Sequence, residues 1–269
     1  MRAPRIKLLI SDVDGTLVTS DKLLTDRSVE AVDQLHRAGV LFAVTSGRPP
    51  RGMSMLIDPL SITTPLSGFN GGLVVDAQME VLEQRTIPEE LVAPIVALLE
   101  SFRLSVWIYQ GCDWLVLDRD GPHVRHEAWT CGFDPTVVAS FDAITGDVAK
   151  IVGVSDDHEH VQDASAAAKE QFGKEVSAAR SQLYYLDVTH PQANKGSVVR
   201  YLARTYDVAE DEIATIGDMP NDVLMFARSG LSIAMGNADV QVHRAARHVT
   251  TSNDDEGFAN AVERYILAL

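Results

Sequence analysis

Ile6-Lys7-Leu8-Leu9-Ile10-Ser11-Asp12-Val13-Asp14-Gly15-Thr16-Leu17 is the stretch that decides the fold of this chain. Residues 6–10 are a largely apolar run of strand length, and two aspartates follow it. Open α/β sheets build their ligand sites at the carboxyl ends of their strands. Gly15 permits the sharp turn that keeps both acids near that edge. The plain alternative is an Asx turn, in which aspartates bond nearby backbone. A calcium-binding EF-hand loop does not fit. It needs an acid or amide at its fifth position, Gly at the sixth and Glu at the twelfth, where this chain has Thr16, Leu17 and Leu23.

Downstream, Thr25 is placed to cap a helix whose apolar residues Val29, Val32 and Leu35 recur at helical spacing, and Gly39 is placed to end it. Residues 40–44 read as the next strand, so the chain opens with a βαβ unit, which implies a parallel sheet covered by helices. That strand runs into Thr45-Ser46-Gly47-Arg48-Pro49-Pro50, a second polar loop at the same edge. The pattern returns with a helix at 196–206, a strand at 213–216, the loop Gly217-Asp218-Met219-Pro220-Asn221-Asp222 and a short strand at 231–235. Pro220 suits the first turn of the helix that ends at Gly230.

Between these halves the grain changes. Helical runs at 91–102 and 160–171 alternate with strands at 104–109, 114–117, 151–154 and 184–188, and Gly111-Cys112-Asp113 reads as a hairpin turn. All three tryptophans and both cysteines lie in this part. The expected architecture is α/β: a Rossmann-like parallel-sheet core at residues 1–81 and 189–269, interrupted by a second α/β domain inserted at residues 82–188.

With 269 residues, 46% of them hydrophobic and 23% charged, the chain can bury a substantial core. No apolar run approaches the roughly 20 residues needed to span a bilayer, and the first five residues lack the features of a signal peptide. The expected location is the cytoplasm, with Cys112 and Cys131 reduced. A net charge of −15 repels nucleic acid and anionic membranes, so neither is an expected partner. An anionic substrate must instead be drawn by a local cluster or a bound cation. No feature of the sequence specifies an oligomeric state.

The strand-end loops together supply Asp12, Asp14, Ser46, Asp218 and Asp222, and Lys195 lies at the start of the helix that follows the insert. Four carboxylates at one sheet edge repel one another unless a divalent cation sits among them. Hard oxygen ligands with room for water and phosphate suit Mg²⁺. Lys195 adds a point charge that phosphate can share.

This order of motifs resembles the haloacid dehalogenase (HAD) superfamily of phosphohydrolases, and within it the Cof-type branch with a large inserted α/β cap. The likeness covers essentially the whole chain. It rests on Asp12-Val13-Asp14-Gly15-Thr16-Leu17, on Ser46 in Thr45-Ser46-Gly47-Arg48, on Lys195 in Asn194-Lys195-Gly196, and on Gly217-Asp218-Met219-Pro220-Asn221-Asp222. Asn70-Gly71 and Met235-Gly236-Asn237-Ala238 also look like that branch, which more often has Thr where Ser46 stands. The resemblance implies a Mg²⁺-dependent phosphatase acting on a small phosphate monoester, a sugar phosphate or a phosphorylated cofactor. It implies Asp12 as nucleophile, forming an aspartyl-phosphate, and a metal held by Asp12, the Asp14 backbone carbonyl and Asp218. Asp14 is expected to keep a proton near neutral pH and to act as general acid and then base. Ser46, Gly47 and Lys195 are expected on the phosphoryl oxygens, with Asp222 orienting Lys195 or a metal-bound water and Asn221 bracing the loop.

A phosphotransferase or phosphomutase with the same intermediate is the alternative enzyme, and a phosphoacceptor signalling domain the alternative without turnover. The latter has no need of an insert of about 100 residues, itself domain-sized. His123 and His126 are spaced to share a helix face but lack a third metal ligand. His158 and His160 belong to a charged helix start, and Asp254-Asp255-Glu256 fits a helix N-terminus. Arg48 and Arg51 read as loop braces. Asp113, Trp114, His123 and Arg125 are the candidates for lining the insert's side of the site.

Overall fold

The computed structural model describes residues 6–144 and 146–268. The segment 1–5, on which the signal-peptide reading rests, lies outside them. Leu8–Ser11 is the second strand from one edge of a five-stranded parallel sheet, between Leu41–Val44 and Ile213–Gly217, with Leu231–Ala234 and His248–Val249 beyond. All four of its residues are buried, which explains a continuous rather than alternating apolar run: helices cover both faces. Leu9 packs with Val32, Leu35, Phe42 and Phe258 on one face. Leu8 and Ile10 pack with Val199, Leu202 and Met225 on the other. Thr25 caps helix Asp26–Arg37 by accepting from the Ser28 N–H at 3.1 Å, a bond typically worth about 1 kcal/mol.

The insert is a separate six-stranded sheet in the order Ser177–Gln182, Tyr185–Thr189, Val148–Val154, Ser105–Gln110, Asp113–Val116, Thr136–Val137. Helices Glu89–Ser101 and His158–Phe172 cover one face through Ile95, Leu99 and Ala164 against Ile108, Ile151 and Leu186. The opposite face carries Trp107, Tyr109, Trp114 and Tyr185 and packs toward the core, where the Phe69 ring lies 5.1 Å from that of Tyr109.

A three-stranded antiparallel sheet, Leu66–Gly68, Leu73–Val75 and Val81–Gln84, is additional to the sequence reading. Its three- and four-residue strands are too short for periodicity to reveal. We propose the division into core 1–81, insert 82–188 and core 189–269 with this sheet as its seam, since Val81–Gln84 pairs back onto Leu73–Val75. Among the described residues no helix is long and apolar enough to cross a membrane.

Candidate active site

The parallel sheet brings the strand-end loops together. The Asp12 N–H bonds the Ile216 carbonyl at 3.0 Å, which fixes Asp12 beside the neighbouring strand's end. Lys195 occupies the first turn of helix Lys195–Tyr206, capped by Asn194, and is almost wholly buried. Its Nζ lies 2.6 Å from Asp12 Oδ1 and 2.5 Å from Asp222 Oδ1. Asp222 Oδ2 accepts from the Asp218 and Met219 N–H groups at 2.9 and 2.8 Å. Asp222 thus closes its own loop and aims Lys195 at Asp12.

Asp218 is held from two sides. Its Oδ1 accepts from Thr16 Oγ1 at 3.0 Å, and Asn237 Nδ2 lies 3.4 Å from its Oδ2 while donating to the Gly15 carbonyl at 2.9 Å. Gly15 has φ +75°, and a Cβ there would sit 2.4 Å from Asp218 Oδ2. Gly15→Ala is therefore expected to cost about 1–2 kcal/mol for the left-handed backbone alone and to push Asp218 out of place. Urea denaturation checks the stability, and activity of the folded variant checks the displacement.

Carboxylate oxygens of Asp12, Asp218 and Asp222 lie within 4.8 Å of one another. Burial, reinforced by the charge of Asp222, pushes Asp12 well above the usual carboxylate range and Asp218 up to about 6. Burial alone would lower Lys195, but Asp12 and Asp222 overcome it and keep the ammonium charged. The cluster has more buried negative charge than Lys195 neutralises, and its donors are hard oxygens, so the residues fit a divalent cation. Asp222 is committed to Lys195 and two amides, which leaves Asp12 and Asp218 as the side chains that would hold a metal.

Asp14 differs from expectation. Its side chain leaves the carboxylate cluster and meets Arg48, whose Nε and Nη2 donate to Oδ2 and Oδ1 at 2.7 and 2.6 Å, while Lys22 Nζ donates to Oδ1 at 2.7 Å. Burial would raise this carboxyl, but the hydrogen bonds and charge of Arg48, then Lys22, hold it below the usual range. This arrangement favours the ionised form of Asp14, where the sequence reading expects a retained proton. The sequence shows which charges are near in the chain but not that Arg48, on the next loop, points back at Asp14. Of the sequence-predicted metal set, Asp14 can offer only its backbone carbonyl here.

Ser46 is buried, and its Oγ accepts from the Arg48 N–H at 3.1 Å, which leaves the hydroxyl proton to be donated elsewhere. Asn221 Nδ2 donates to Asn70 Oδ1 at 2.9 Å. Asp12, Asp14, Ser46, Gly47, Arg48 and Lys195 line a cavity of 330 Å³ closed on its other side by the insert, through Glu127, Trp129, Lys150, Tyr185 and Asp187. An adjoining cavity of 550 Å³ shares Gly47, Asn70, Lys150, Asp187 and Lys195.

None of the four lining candidates named from the sequence faces either cavity. Trp114 is packed inside the insert, and Asp113 is exposed at the hairpin. His123 stacks on Tyr184 at 4.0 Å and meets Asp156 Oδ1 at 2.8 Å, while Arg125 pairs with Asp120 at 2.7 Å. Alternation shows which residues share a face but not which face meets the core. Arg51 lies 5.0 Å over the Phe133 ring, so it joins core to insert.

A parallel α/β core with acids at its strand ends, and an inserted α/β unit closing over them, defines a known class of hydrolases. Residues 9–262 match the family model of the haloacid dehalogenase-like hydrolases, and the chain belongs to that family. A solved haloacid dehalogenase-like hydrolase from Bacteroides thetaiotaomicron superposes with a TM-score of 0.90 at 27% identity, covering 97% of this chain and 99% of that one. A Haemophilus influenzae protein provisionally named a phosphatase is 29% identical over 258 residues, 96% of this chain and 97% of its own. The Bacillus subtilis protein YitU, named 5-amino-6-(5-phospho-D-ribitylamino)uracil phosphatase, is 24% identical over 277 residues, 96% of this chain and 97% of its own.

Proposed function

We propose that this protein is a Mg²⁺-dependent phosphatase that hydrolyses a small phosphate monoester, a sugar phosphate or a phosphorylated cofactor, through an aspartyl-phosphate on Asp12. The observation that carries this reading is the buried Asp12, Lys195 and Asp222 array beside Asp218, opening on a cavity of 330 Å³. The names of the relatives support phosphate-ester hydrolysis.

In this reading Asp12 attacks phosphorus, splitting one difficult displacement into two easier ones. Mg²⁺, when bound, supplies positive charge that holds the phosphoryl group against its own repulsion by the carboxylates. Lys195, the Ser46 hydroxyl and the Gly47 amide stabilise the phosphoryl oxygens, each such group typically contributing a few kcal/mol. Asp14 protonates the leaving oxygen and then takes a proton from the attacking water. Paired with Arg48 and Lys22, which favour its carboxylate form, Asp14 is suited to the second of these steps. The first requires Asp14 to part from Arg48 and Lys22 and gain a proton.

Asp14→Asn separates the two steps. A nitrophenolate leaves without a proton, so this variant is expected to release a burst of nitrophenol from p-nitrophenyl phosphate and then stall. Equal slowing of aryl and alkyl phosphates with no burst would remove Asp14 from acid-base chemistry.

The metal is tested by heat. The carboxyl of Asp218 is raised from 3.8 to about 6, so the metal-free fold is favoured below its unfolded value and loses stability as pH climbs through 6. The loss is on the order of 2–3 kcal/mol. Mg²⁺ is therefore expected to raise Tm more at about pH 8 than at about pH 5. Equal shifts at both would contradict binding at this cluster.

A further inference from the structure

Two of the segments that the insert contributes to the 330 Å³ cavity are far apart in the chain. Glu127 and Trp129 belong to helix Val124–Cys131, whereas Gln182 and Tyr184 belong to the end of the edge strand Ser177–Gln182 and the turn after it. Neither segment is held firmly by its own packing. Only Val124 and Cys131 of the helix's eight residues are buried, and a helix that short has little stability of its own. Residues 179–183 are exposed.

One ring joins the two. His123, directly before the helix, stacks on Tyr184 with ring centroids 4.0 Å apart and planes 4° from parallel. Its Nε2 lies 2.8 Å from Asp156 Oδ1, and the Ser155 N–H donates to the Tyr184 carbonyl at 3.1 Å. Helix, turn and the 155–156 loop therefore meet at this histidine. The backbone of His123 is left-handed, with φ +59°, a conformation uncommon outside glycine. Such strain persists where surrounding contacts over-determine a residue, and it concentrates at ligand clamps. The stack on Tyr184 and the bond to Asp156 are contacts of that kind.

Resting on the phosphatase reading, we propose that His123 is a positioning residue, which clamps helix Val124–Cys131 to the Tyr184 turn and so sets the spacing of the two segments around the leaving group. His123 faces neither cavity, so it acts through Tyr184 and the helix. Asp12, Ser46 and Lys195 sit on the core's own strand ends and helix start, and holding a bare phosphate there does not require the clamp. Its effect falls on binding of the ester's alcohol part, because segments left loose must be ordered when the ester binds.

The test compares His123→Asn with wild type, since asparagine tolerates the left-handed backbone and removes the ring. The KM for p-nitrophenyl phosphate is expected to rise about tenfold. Both kcat and the competitive Ki of inorganic phosphate are expected to stay within about twofold. In a Tyr184→Ala background the same substitution is expected to raise KM less than about twofold, because the two residues act as a unit. Asp156→Ala, at an exposed position, is expected to stay folded and to raise KM about threefold with the phosphate Ki unmoved. An unmoved KM in folded His123→Asn, an equal rise in the phosphate Ki, or a full tenfold penalty in the Tyr184→Ala background overturns the proposal. If His123→Asn does not fold, an unmoved KM in Asp156→Ala overturns it instead. A wild-type protein inert toward p-nitrophenyl phosphate overturns the phosphatase reading, and the clamp's role with it.

Discussion

Asp12→Asn is expected to abolish steady-state turnover, with kcat falling by on the order of 10⁴–10⁶-fold, the range seen when a covalent nucleophile is removed. Neither neighbouring carboxylate of the cluster is free to take its place. Asp218 is held by Thr16 Oγ1 at 3.0 Å, and Asp222 is held by Lys195 and two backbone amides. The variant should remain folded, because Lys195 keeps its 2.5 Å contact with Asp222. Loss of activity together with retained melting behaviour assigns Asp12 to chemistry. Residual turnover within about tenfold of wild type would mean that another group or water attacks phosphorus directly.

The second large effect is expected at Lys195. Lys195→Met conserves length but removes the charge, and kcat/KM is expected to fall about 100-fold or more, as for the loss of a preorganised electrostatic group. Stability should fall as well, by about 3–5 kcal/mol at neutral pH, since Asp12 and Asp222 are left buried without their counter-charge. The sign of the pH dependence is a further check. Asp12 lies above its ordinary range even with Lys195 present, so in the variant protonation relieves the repulsion and the stability deficit should shrink as pH falls. A folded variant with less than a threefold kinetic loss would make Lys195 a purely structural residue.

What was legible in the sequence follows from which physical signals are local. Asp12, Ser46, Lys195, Asp218 and Asp222 could be gathered before any coordinates because each sits directly after a strand or at a helix start. In a parallel sheet those ends share one edge. The helix bounds were likewise close: Lys195–Tyr206 contains the expected 196–206, and Asp157 caps the helix that begins at His158. Side-chain direction was not legible. Asp14 and Asp12 are two residues apart, yet one faces Arg48 and the other Lys195. The Arg48 contact crosses between loops, and nothing in either loop's own spacing announces it. The same limit explains the insert, where Lys150, Tyr185 and Asp187 face the cleft only because the sheet's aromatic side packs on Phe69.

This division also separates the roles of the two halves. The core holds charges rigidly: Lys195 and Asp222 are essentially inaccessible, and Asp222 accepts from two successive amides. The insert closes the same cavity with segments tied together at His123. A phosphoryl group is a fixed target that suits preorganised charge, whereas a leaving alcohol varies among substrates.

If the phosphoryl group passes through the side chain of Asp12, an acyl phosphate stands there during turnover and can be trapped. The wild-type protein is mixed with Mg²⁺ and excess p-nitrophenyl phosphate, quenched in acid during turnover, and treated with borohydride, which reduces an acyl phosphate to the alcohol. The expected result is homoserine in place of aspartate at position 12, absent without substrate and absent in Asp12→Asn. Full turnover with no modified residue at position 12, or with the modification at Asp14, Asp218 or Asp222 instead, would contradict it.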